Sequence, residues 1–308
     1  MFPVAARVAL AGAASLSLLT GCGGSPTAAV PSVVLASVPA PPGGAHVMKV
    51  LTVVEENHSL QQMQASMPYL TSLARQYAYA TSYTAVSHPS LPNYLALSGG
   101  STFGVTDDAG PVAHPISGPS VFGQALAVGK TAKVYAESMP TNCALSNSGS
   151  YAVKHAVWAY YVNERAACQS GQVPMGDPAA GVLASDIATG NLPNLGWAIP
   201  DLNHDAHDGT LAQADHWLAG WLPKVLSGPD FRSGKLAVVI TGDESDAGSG
   251  NKVLTVVAVP GLSSQVITAP LTHYSLTGLY SDIVRAPRLR GAGSAASFAA
   301  AFGLPVSR

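Results

Sequence analysis

Residues 47–59 read Val-Met-Lys-Val-Leu-Thr-Val-Val-Glu-Glu-Asn-His-Ser, an apolar run that ends in a cluster of polar side chains. An apolar run of this length is typical of a strand that is buried on both faces of a sheet. The carboxylate, amide and imidazole groups that follow, at Glu56, Asn57 and His58, are unsuited to a core. Their place at the end of a strand indicates a site for a hard metal ion.

Further apolar runs alternate with segments of helical character along the chain. The predicted strands are residues 46–54, 132–137, 195–200, 235–241 and 253–259, and the predicted helices are residues 59–77, 93–98, 120–128, 210–226 and 272–286. This alternation predicts an α/β fold, with a mostly parallel central sheet and helices on both faces. Ligands of such sheets bind beyond the carboxyl ends of the strands. Polar residues follow the predicted strands at this edge, namely Glu56, Asp201, Asp243 and Glu244.

The phrase His88-Pro89-Ser90-Leu91-Pro92-Asn93-Tyr94 places a hydroxyl between two prolines, just before a short helical run. Proline is favoured at the opening of a helix, and the N-terminus of a helix stabilises anions. A serine held there can attack a phosphorus centre while backbone N–H groups stabilise the charge. A capped helix start without any chemistry would explain this phrase alone or the Glu56 phrase alone, whereas the two phrases in one chain favour chemistry.

Both phrases also carry a resemblance. Glu56-Asn57-His58-Ser59, together with Ser87-His88-Pro89-Ser90-Leu91-Pro92-Asn93-Tyr94, resembles the opening motifs of the bacterial and fungal phosphoesterase family. That family contains acid phosphatases and phospholipases C and belongs to the alkaline phosphatase superfamily. The resemblance extends over residues 50–279 and implies an alkaline phosphatase-like fold. It also implies that Ser90 is the nucleophile and that Glu56 and Asn57 help to hold a metal ion.

The predicted strand 235–241 ends in two adjacent carboxylates, Asp243 and Glu244, inside a loop rich in glycine and serine. Two neighbouring anions repel unless a cation neutralises them, which favours a divalent metal site. An acidic loop in solvent is the alternative. The phosphoesterase family has a similar acidic pair, so the resemblance implies a ligand set of Glu56, Asn57, Asp243 and Glu244. Oxygen ligands favour Ca²⁺, Mg²⁺ or Mn²⁺ over zinc.

Residues 201–208 concentrate acidic and histidine side chains, which is rare for a purely structural segment, although a solvated loop remains the alternative. The family has a similar Asn-Asp-Met-His-Asp phrase, in which this chain has His204 and Ala206 in place of Asn and Met. The resemblance implies that Asp205 contacts the substrate and that His207 takes part in catalysis. It leaves open the roles of Asp201 and His204 and the number of metal ions.

Three further side chains are candidates for the site. The segment around Lys154-His155 resembles a Lys-His-Asn-Pro phrase of the family, with Ala156-Val157 in place of Asn-Pro. The resemblance implies that His155 is an acid for the leaving oxygen or a phosphate contact, and a structural histidine is the alternative. Asn93 fits a donor to a phosphate oxygen. His273 also matches the family, but its place at the start of the last long helix is explained equally well by capping.

The N-terminus has the form of a bacterial lipoprotein signal: Arg7, an apolar segment over residues 8–19, and Leu19-Thr20-Gly21-Cys22. The apolar segment is too short to span a bilayer, which indicates a cleaved signal rather than an anchor. We therefore predict a signal peptide and lipidated Cys22 over residues 1–22. Residues 23–45, rich in Gly, Ser, Pro and Ala, are predicted to form a disordered tether, and residues 46–308 a single phosphoesterase domain. An ordinary secretory signal is the alternative, and either signal predicts export to the bacterial cell envelope or secretion.

Export also bears on the cysteines. Besides Cys22, the chain has Cys143 and Cys168, and two cysteines in an oxidising compartment are expected to pair. Two free buried thiols are the alternative. Only 10% of the residues are charged and the net charge is −2, which gives no sign of nucleic-acid binding. Membrane contact is therefore expected only through the N-terminal lipid.

These observations predict a metal-dependent phosphoester hydrolase, an exported acid phosphatase-type monoesterase with a serine nucleophile. Its substrate would be a phosphorylated small molecule or lipid. A phospholipase C-type diesterase is the alternative within the class, although the chain is short for an enzyme with accessory C-terminal domains. A non-catalytic lipid-tethered binding protein on the same fold is a second alternative. A serine acyl hydrolase is disfavoured because Ser90 lacks a Gly-x-Ser-x-Gly elbow.

Overall fold

The computed structural model describes residues 46–246 and 248–306, so the predictions for the signal peptide and Cys22 over residues 1–22 and for the tether over residues 23–45 lie outside the described residues. The strands are β1 Lys49–Glu55, β2 Ala78–Ala80, β3 Tyr83–Thr84, β4 Ala132–Ala136, β5 Gln172–Pro174, β6 Leu195–Ile199, β7 Leu236–Gly242, β8 Thr255–Ala258, β9 Gln265–Ile267 and β10 Leu271–Thr272. The α-helices are α1 Leu60–Ser66, α2 Pro68–Gln76, α3 Ser90–Gly99, α4 Val121–Ala127, α5 Arg165–Gly171, α6 Val182–Thr189, α7 Leu211–Leu226, α8 Pro229–Arg232, α9 His273–Val284 and α10 Phe298–Phe302. Short 3-10 helices lie at Val157–Tyr160, Val162–Glu164 and Arg290–Gly293.

The central sheet has eight strands in the order β5-β4-β6-β1-β7-β8-β2-β9. The strands from β5 to β7 are all parallel, whereas β8 is antiparallel to both β7 and β2, and β9 is parallel to β2. A small separate sheet pairs β3 with β10. The predicted mostly parallel α/β sheet is confirmed. Its register places the carboxyl ends of β6, β1 and β7 side by side, which is where the polar residues follow.

The sheet is buried on both of its faces. Val50 and Val54 of β1 belong to the core cluster that includes residues of α3, α4 and α9, while Leu51 and Val53 between them are equally buried. Helices α3, α4, α9 and α10 pack together, and helices α1, α2, α6, α7 and α8 form the other layer. Each fully buried Val or Leu side chain contributes about 1.5–3 kcal/mol to the hydrophobic stabilisation. The near-continuous apolar composition of β1 follows from this double burial.

Most predicted elements are present, with one helix divided. The predicted helix 59–77 is two helices, because α1 ends at Ser66 and Pro68 begins α2 at a position where a missing N–H costs nothing. Ser120 and Thr210, the first residues of two other predicted helices, are the N-caps of α4 and α7. The strands that sequence analysis missed have two or three residues each, too few for a period to be visible. Within the described part of the chain, no helix combines the length and hydropathy needed to cross a bilayer.

Cys143 and Cys168 form a disulfide, with their Cα atoms 5.4 Å apart. Cys168 lies in α5, and Cys143 lies in the irregular segment that follows β4. Both side chains are buried. The predicted pairing is therefore confirmed, and it ties α5 to the edge of the sheet that carries β4 and β5.

Candidate active site

Ser90 is the first residue of α3, a helix that is buried along its whole length. Its Oγ atom donates a hydrogen bond of 2.9 Å to Oε2 of Glu56, the residue that directly follows β1. The Ser90 side chain therefore lies at the carboxyl edge of the sheet, at a helix start as the sequence predicted. The N-terminus of α3 adds backbone N–H groups beside this hydroxyl, and such groups favour negative charge.

The Glu56 carboxylate is the centre of the cluster. Its Oε1 atom accepts a hydrogen bond of 2.7 Å from the Tyr94 hydroxyl and lies 3.1 Å from Nε2 of His155. Tyr94 is one helical turn beyond Ser90, so the two side chains share a face of α3. Burial alone would raise the pKa of Glu56, but the positive charge of His155 lowers it to about 2. Glu56 is therefore ionised throughout the physiological range.

His155 bridges two carboxylates. Its Nδ1 atom lies 3.0 Å from Oδ2 of Asp205, opposite the contact with Glu56, and its ring stacks on Tyr94 with centroids 4.9 Å apart. Burial alone would lower the pKa of His155, but the charge of Glu56, followed by the contact with Asp205, raises it to about 9. The ring is 1% exposed. With both nitrogens facing carboxylates, His155 occupies a different position from the expected acid of a leaving oxygen.

Asp243 and Glu244 follow β7 and join the same edge. Oδ1 of Asp243 accepts hydrogen bonds from the backbone N–H groups of Asn57, at 3.1 Å, and Glu244, at 2.6 Å. Burial, followed by the charges of Glu56 and Glu244, raises the pKa of Asp243 well above its usual value. Burial and the charge of Glu56 raise the pKa of Glu244 to about 8. Oε2 of Glu244 lies 2.7 Å from Nδ1 of His88.

The donor set fits a hard divalent cation. Oδ1 of Asn57 and Oδ2 of Asp243 are buried oxygen atoms without a hydrogen-bond partner among the described residues. Buried oxygens of this kind are costly unless a cation or a donor satisfies them. Glu56, His155 and Asp205 also lie within 4.8 Å of one another, but a positively charged His155 has no free nitrogen lone pair and adds no ligand to this oxygen set. The ligand set implied by the resemblance stays a prediction, and the positions of these oxygen atoms are consistent with it. The set is Glu56, Asn57, Asp243 and Glu244.

Lys154 is a member of the cluster that sequence analysis did not assign. Its Nζ atom lies 3.4 Å from Ser90 Oγ, 3.4 Å from Nε2 of His207 and 2.8 Å from Oδ2 of Asp108. Burial lowers the pKa of Lys154, but the charge of Glu56 and the hydrogen bond to Asp108 outweigh that effect and raise it. The ammonium is therefore a fixed positive charge beside the hydroxyl. The sequence feature that could have identified Lys154 as a site residue is its position next to His155 in the Lys-His phrase.

Asn93 supports the loop that leads to Ser90. Its Oδ1 atom accepts hydrogen bonds of 3.0 Å from the N–H groups of Val86 and Ser87. Its Nδ2 atom donates to the carbonyl oxygens of Ser87, at 2.9 Å, and Pro89, at 3.2 Å. This position differs from the expected donor to a phosphate oxygen, because backbone atoms already use the amide group.

The loop over residues 201–209 separates into two parts. Asp205 and His207 face the Ser90 cluster, and Nδ1 of His207 lies 2.7 Å from Oδ1 of Asp208. His204 faces away from that cluster. Its Nδ1 atom lies 3.0 Å from Oε2 of Glu137, and its ring stacks on Trp217. His204, which replaces the Asn of the family phrase, therefore does not alter the Ser90 cluster directly.

His273 fixes the position of Asp243 through the backbone. Its Nε2 atom lies 2.5 Å from the carbonyl oxygen of Asp243, and its Nδ1 atom lies 3.0 Å from the Tyr83 hydroxyl. The ring is fully buried, and burial lowers the pKa of His273 to about 4. The neutral imidazole of His273 therefore supports the end of β7, which Asp243 and Glu244 follow.

A cavity of about 460 Å³ adjoins the cluster on the side of Lys154. Its lining includes the polar side chains of Asp108, Lys154 and His207 and the apolar side chains of Leu145, Val153 and Leu202. A larger cavity of about 530 Å³ is lined by Glu137, His204, Trp217 and Trp221 and contains none of the side chains around Ser90. The smaller cavity is therefore the one placed to receive a ligand that reaches the hydroxyl.

Comparison with known proteins agrees with this arrangement. Residues 47–263 match the phosphoesterase family. The chain belongs to this family. A phosphatidylinositol-3-phosphatase of Mycobacterium tuberculosis is 32% identical over 286 residues, which cover 91% of this chain and 89% of that protein. A phosphate-repressible acid phosphatase of Penicillium chrysogenum is 28% identical over 227 residues, which cover 69% of this chain but 53% of the longer fungal protein.

The predicted family is therefore confirmed, and the chain is a hydrolase of phosphoester bonds. Solved structures extend the likeness at the level of fold. A protein of the alkaline phosphatase superfamily from Vibrio parahaemolyticus aligns with a TM-score of 0.52 and 10% identity, covering 81% of this chain and 69% of that one. A protein from the glycosaminoglycan metabolism of Bacteroides thetaiotaomicron aligns with a TM-score of 0.58 and 9% identity, covering 86% and 83%. The predicted alkaline phosphatase-like fold is confirmed.

Proposed function

We propose that this phosphoesterase is an exported, metal-dependent phosphomonoesterase that uses Ser90 as its nucleophile. One observation carries the proposal: Ser90 Oγ lies at the start of a buried helix, 2.9 Å from Glu56 Oε2 and 3.4 Å from Lys154 Nζ. An activated hydroxyl needs an acceptor that orients it and a positive charge that stabilises its anion. Both are in contact with this one oxygen.

The roles of the surrounding residues follow from their charges. Glu56 accepts the hydroxyl proton of Ser90 in a hydrogen bond and so points a lone pair of the oxygen toward the open side. With a pKa of about 2, Glu56 is too weak a base to remove the proton by itself. A divalent ion held by Glu56, Asn57, Asp243 and Glu244 would supply the missing acidity of the hydroxyl and neutralise phosphoryl charge.

Transfer then proceeds in two stages. Ser90 Oγ loses its proton to solvent water and attacks phosphorus, and the bond to the ester oxygen breaks on the opposite side. In the second stage water attacks the phosphoserine, which releases inorganic phosphate and returns a proton to Ser90 Oγ. Lys154 and the first N–H groups of α3 stabilise the phosphoryl oxygens. His207 Nε2 accepts from Lys154 Nζ at 3.4 Å, and it must take up a proton before it can protonate the leaving oxygen. His155 keeps Glu56 and Asp205 in place as a buried cation between them.

The cavity beside Lys154 and His207 is the proposed site of the leaving group. Its volume of about 460 Å³ suits the alcohol part of a small phosphomonoester, and its lining mixes polar and apolar side chains. A sugar or inositol phosphate fits that chemistry, and the mycobacterial relative is a phosphatidylinositol-3-phosphatase. Phosphorylated small molecules and phosphoinositide headgroups are therefore the proposed substrates.

Export is the remaining part of the proposal. The lipobox-like Leu19-Thr20-Gly21-Cys22 supports lipidation of Cys22 at the cell envelope. The disulfide between Cys143 and Cys168 supports an oxidising compartment. Treatment of expressing cells with a signal-peptidase inhibitor specific for lipoproteins should cause the larger precursor to accumulate. Processing that is unaffected by this inhibitor would instead support an ordinary secretory signal.

Kinetics of Ser90→Ala test the catalytic proposal. Turnover of p-nitrophenyl phosphate, bis-p-nitrophenyl phosphate and phosphatidylinositol 3-phosphate is measured with added Mg²⁺, Mn²⁺ or Ca²⁺. Loss of the nucleophile should lower kcat on the monoesters by at least about 10³-fold, with an unchanged melting temperature. The matched control is Ser185→Ala, at an exposed serine of α6 whose side chain has no hydrogen bond to any residue that the structure describes.

Three results would redirect the proposal. Activity of Ser90→Ala within about tenfold of the wild type would remove Ser90 as the nucleophile. Faster turnover of the diester than of the monoesters would favour the phospholipase C-type alternative. Absence of turnover by the wild type on every ester, with each metal ion, would favour the non-catalytic binding protein.

A further inference from the structure

The carboxylate of Asp108 contacts the two groups beside Ser90 that are best suited to bind a phosphoryl oxygen. Its Oδ1 atom accepts a hydrogen bond of 2.9 Å from the N–H of Leu91, the second residue of α3. Its Oδ2 atom lies 2.8 Å from Lys154 Nζ, and that nitrogen lies 3.4 Å from Ser90 Oγ. One carboxylate thus bridges a helix N-terminus and a lysine next to the proposed nucleophile.

A carboxylate and a phosphoryl group compete for the same partners. Each presents anionic oxygens, for which helix N–H groups and an ammonium are the usual ligands. A phosphoryl group attacked by Ser90 must place its oxygens within hydrogen-bond distance of these donors. The Leu91 N–H has a single hydrogen, which Asp108 already accepts, and the same carboxylate occupies one of the three donors of the Lys154 ammonium. The two anions therefore compete for these groups.

We propose that Asp108 occupies the phosphate-binding position and that the phosphoryl group of the substrate displaces its carboxylate from Leu91 and Lys154. The inference rests on the proposed function of Ser90 and deepens it. The side chain of Asp108 is 32% exposed and lies in residues 100–120, between α3 and α4, which contain no helix or strand, so displacement of its carboxylate need not move either helix. Lys154, at 13% exposure, stays in place.

Displacement has a consequence for turnover. Asp108 competes with the inorganic phosphate product as well as with the substrate. An internal anion that returns to the donors weakens product binding and favours phosphate release. Removal of its charge should therefore tighten phosphate binding, whereas removal of the Lys154 charge should weaken it.

Binding of inorganic phosphate tests the inference. We expect Asp108→Asn to lower the inhibition constant of phosphate about tenfold, the effect of one competing charged hydrogen bond. Asp108→Ala should act in the same direction, which guards against a residual contact made by the Asn amide. Lys154→Met in the Asp108→Asn chain should abolish the gain. Asp107→Asn changes the neighbouring carboxylate, whose hydrogen-bond partners in the described part of the chain are Ala109 and His114, and should leave phosphate binding within about twofold of the wild type.

The same constants are measured by calorimetry in the Ser90→Ala background, so the result does not depend on turnover. Retained turnover in Ser90→Ala would refute the proposed nucleophile. The comparison of phosphate binding between the Asp108 variants and the wild type could still be interpreted. Unchanged or weaker phosphate binding in both Asp108 variants, with an unchanged melting temperature, would refute the displacement. A fall in kcat without tighter phosphate binding would instead make Asp108 a positioning residue for Lys154 and would equally overturn the inference.

Discussion

Ser90 Oγ and Glu56 Oε2 are joined by a 2.9 Å hydrogen bond across 34 positions of the sequence. The contact exists because β1 ends at the middle of the sheet and α3 begins above that end. Glu56 also contacts Tyr94 and His155. One carboxylate therefore orients the hydroxyl and balances the buried imidazolium, which makes it the most informative position for mutation.

Glu56→Gln should lower kcat by about a hundredfold or more. The amide nitrogen of Gln, in place of one carboxylate oxygen, donates hydrogen bonds and cannot accept them. The negative charge that balances His155 is also lost. The measurement is steady-state kinetics on p-nitrophenyl phosphate with saturating divalent metal. Glu164→Gln is the matched control, because the side chain of Glu164 accepts hydrogen bonds from Ser120 and Trp158, which lie outside the cluster. Retention of kcat within about threefold would show that Glu56 does not orient the nucleophile.

Removal of divalent metal should lower both activity and thermal stability. Asp243 and Glu244 are two carboxylates beside Glu56, and a bound ion relieves their repulsion only in the folded chain. Saturation at about one hundred times the dissociation constant stabilises by about 2.7 kcal/mol. Melting temperature and turnover are measured after chelation and after metal is restored.

Asp243→Asn should reduce both responses to metal, whereas Asp177→Asn, an exposed carboxylate outside the cluster, should reduce neither. Elemental analysis gives the stoichiometry and identity of the ion. If exhaustive chelation changes neither quantity and no stoichiometric metal is found, the metal site is refuted.

The site residues that come directly after strands were predictable from the sequence. Glu56 and Asp243 come directly after buried apolar runs, and parallel strands bring their carboxyl ends to one edge. The helix start at Ser90 was visible from its prolines, although α3 begins three residues before the predicted start at Asn93. These features depend on local pattern and on the general geometry of α/β sheets.

The remaining contacts depend on tertiary packing. Asp108 lies in an irregular segment, and nothing in its local pattern indicates that it meets Leu91 and Lys154. The ring of His155 lies between two carboxylates because the loop with Asp205 folds back over β1. Asn93 has the right chemistry for a phosphate donor but is used by backbone atoms, which no side-chain motif reveals.

Loss of the disulfide should destabilise the fold without removing the catalytic cluster. Cys143 and Cys168 are 25 positions apart, and closure of a loop of this length contributes about 3 kcal/mol in the chain-entropy account. Cys143→Ser/Cys168→Ser should therefore unfold at lower urea concentration, with a similar kcat below its transition. Wild-type protein that is reduced and alkylated should match the double variant, and equal stability of oxidised and reduced chains would contradict the prediction.

Asp215 should stabilise α2 from another helix. Its side chain, in α7, accepts hydrogen bonds of 2.9 Å from the N–H groups of Tyr69 and Leu70, and Met67, the N-cap of α2, provides no side-chain cap. Asp215→Ala leaves two buried N–H groups without an acceptor and should lower the free energy of unfolding by about 1–3 kcal/mol. Urea unfolding measures the loss, with Asp177→Ala as the exposed control.

The contribution of Asp215 to stability should also depend on pH with a definite sign. Burial raises the pKa of Asp215 above its usual value of 3.8, so the folded chain binds this proton more tightly than the unfolded chain does. The stability linked to the group is fully present below pH 3.8 and is lost as the pH rises through the folded pKa. The free energy of unfolding of the wild type, relative to Asp215→Asn, should therefore fall as the pH rises from 3.8 toward neutrality. A difference that grows over this range would mean that the two N–H groups, rather than burial, control the carboxylate and that its folded pKa is lowered.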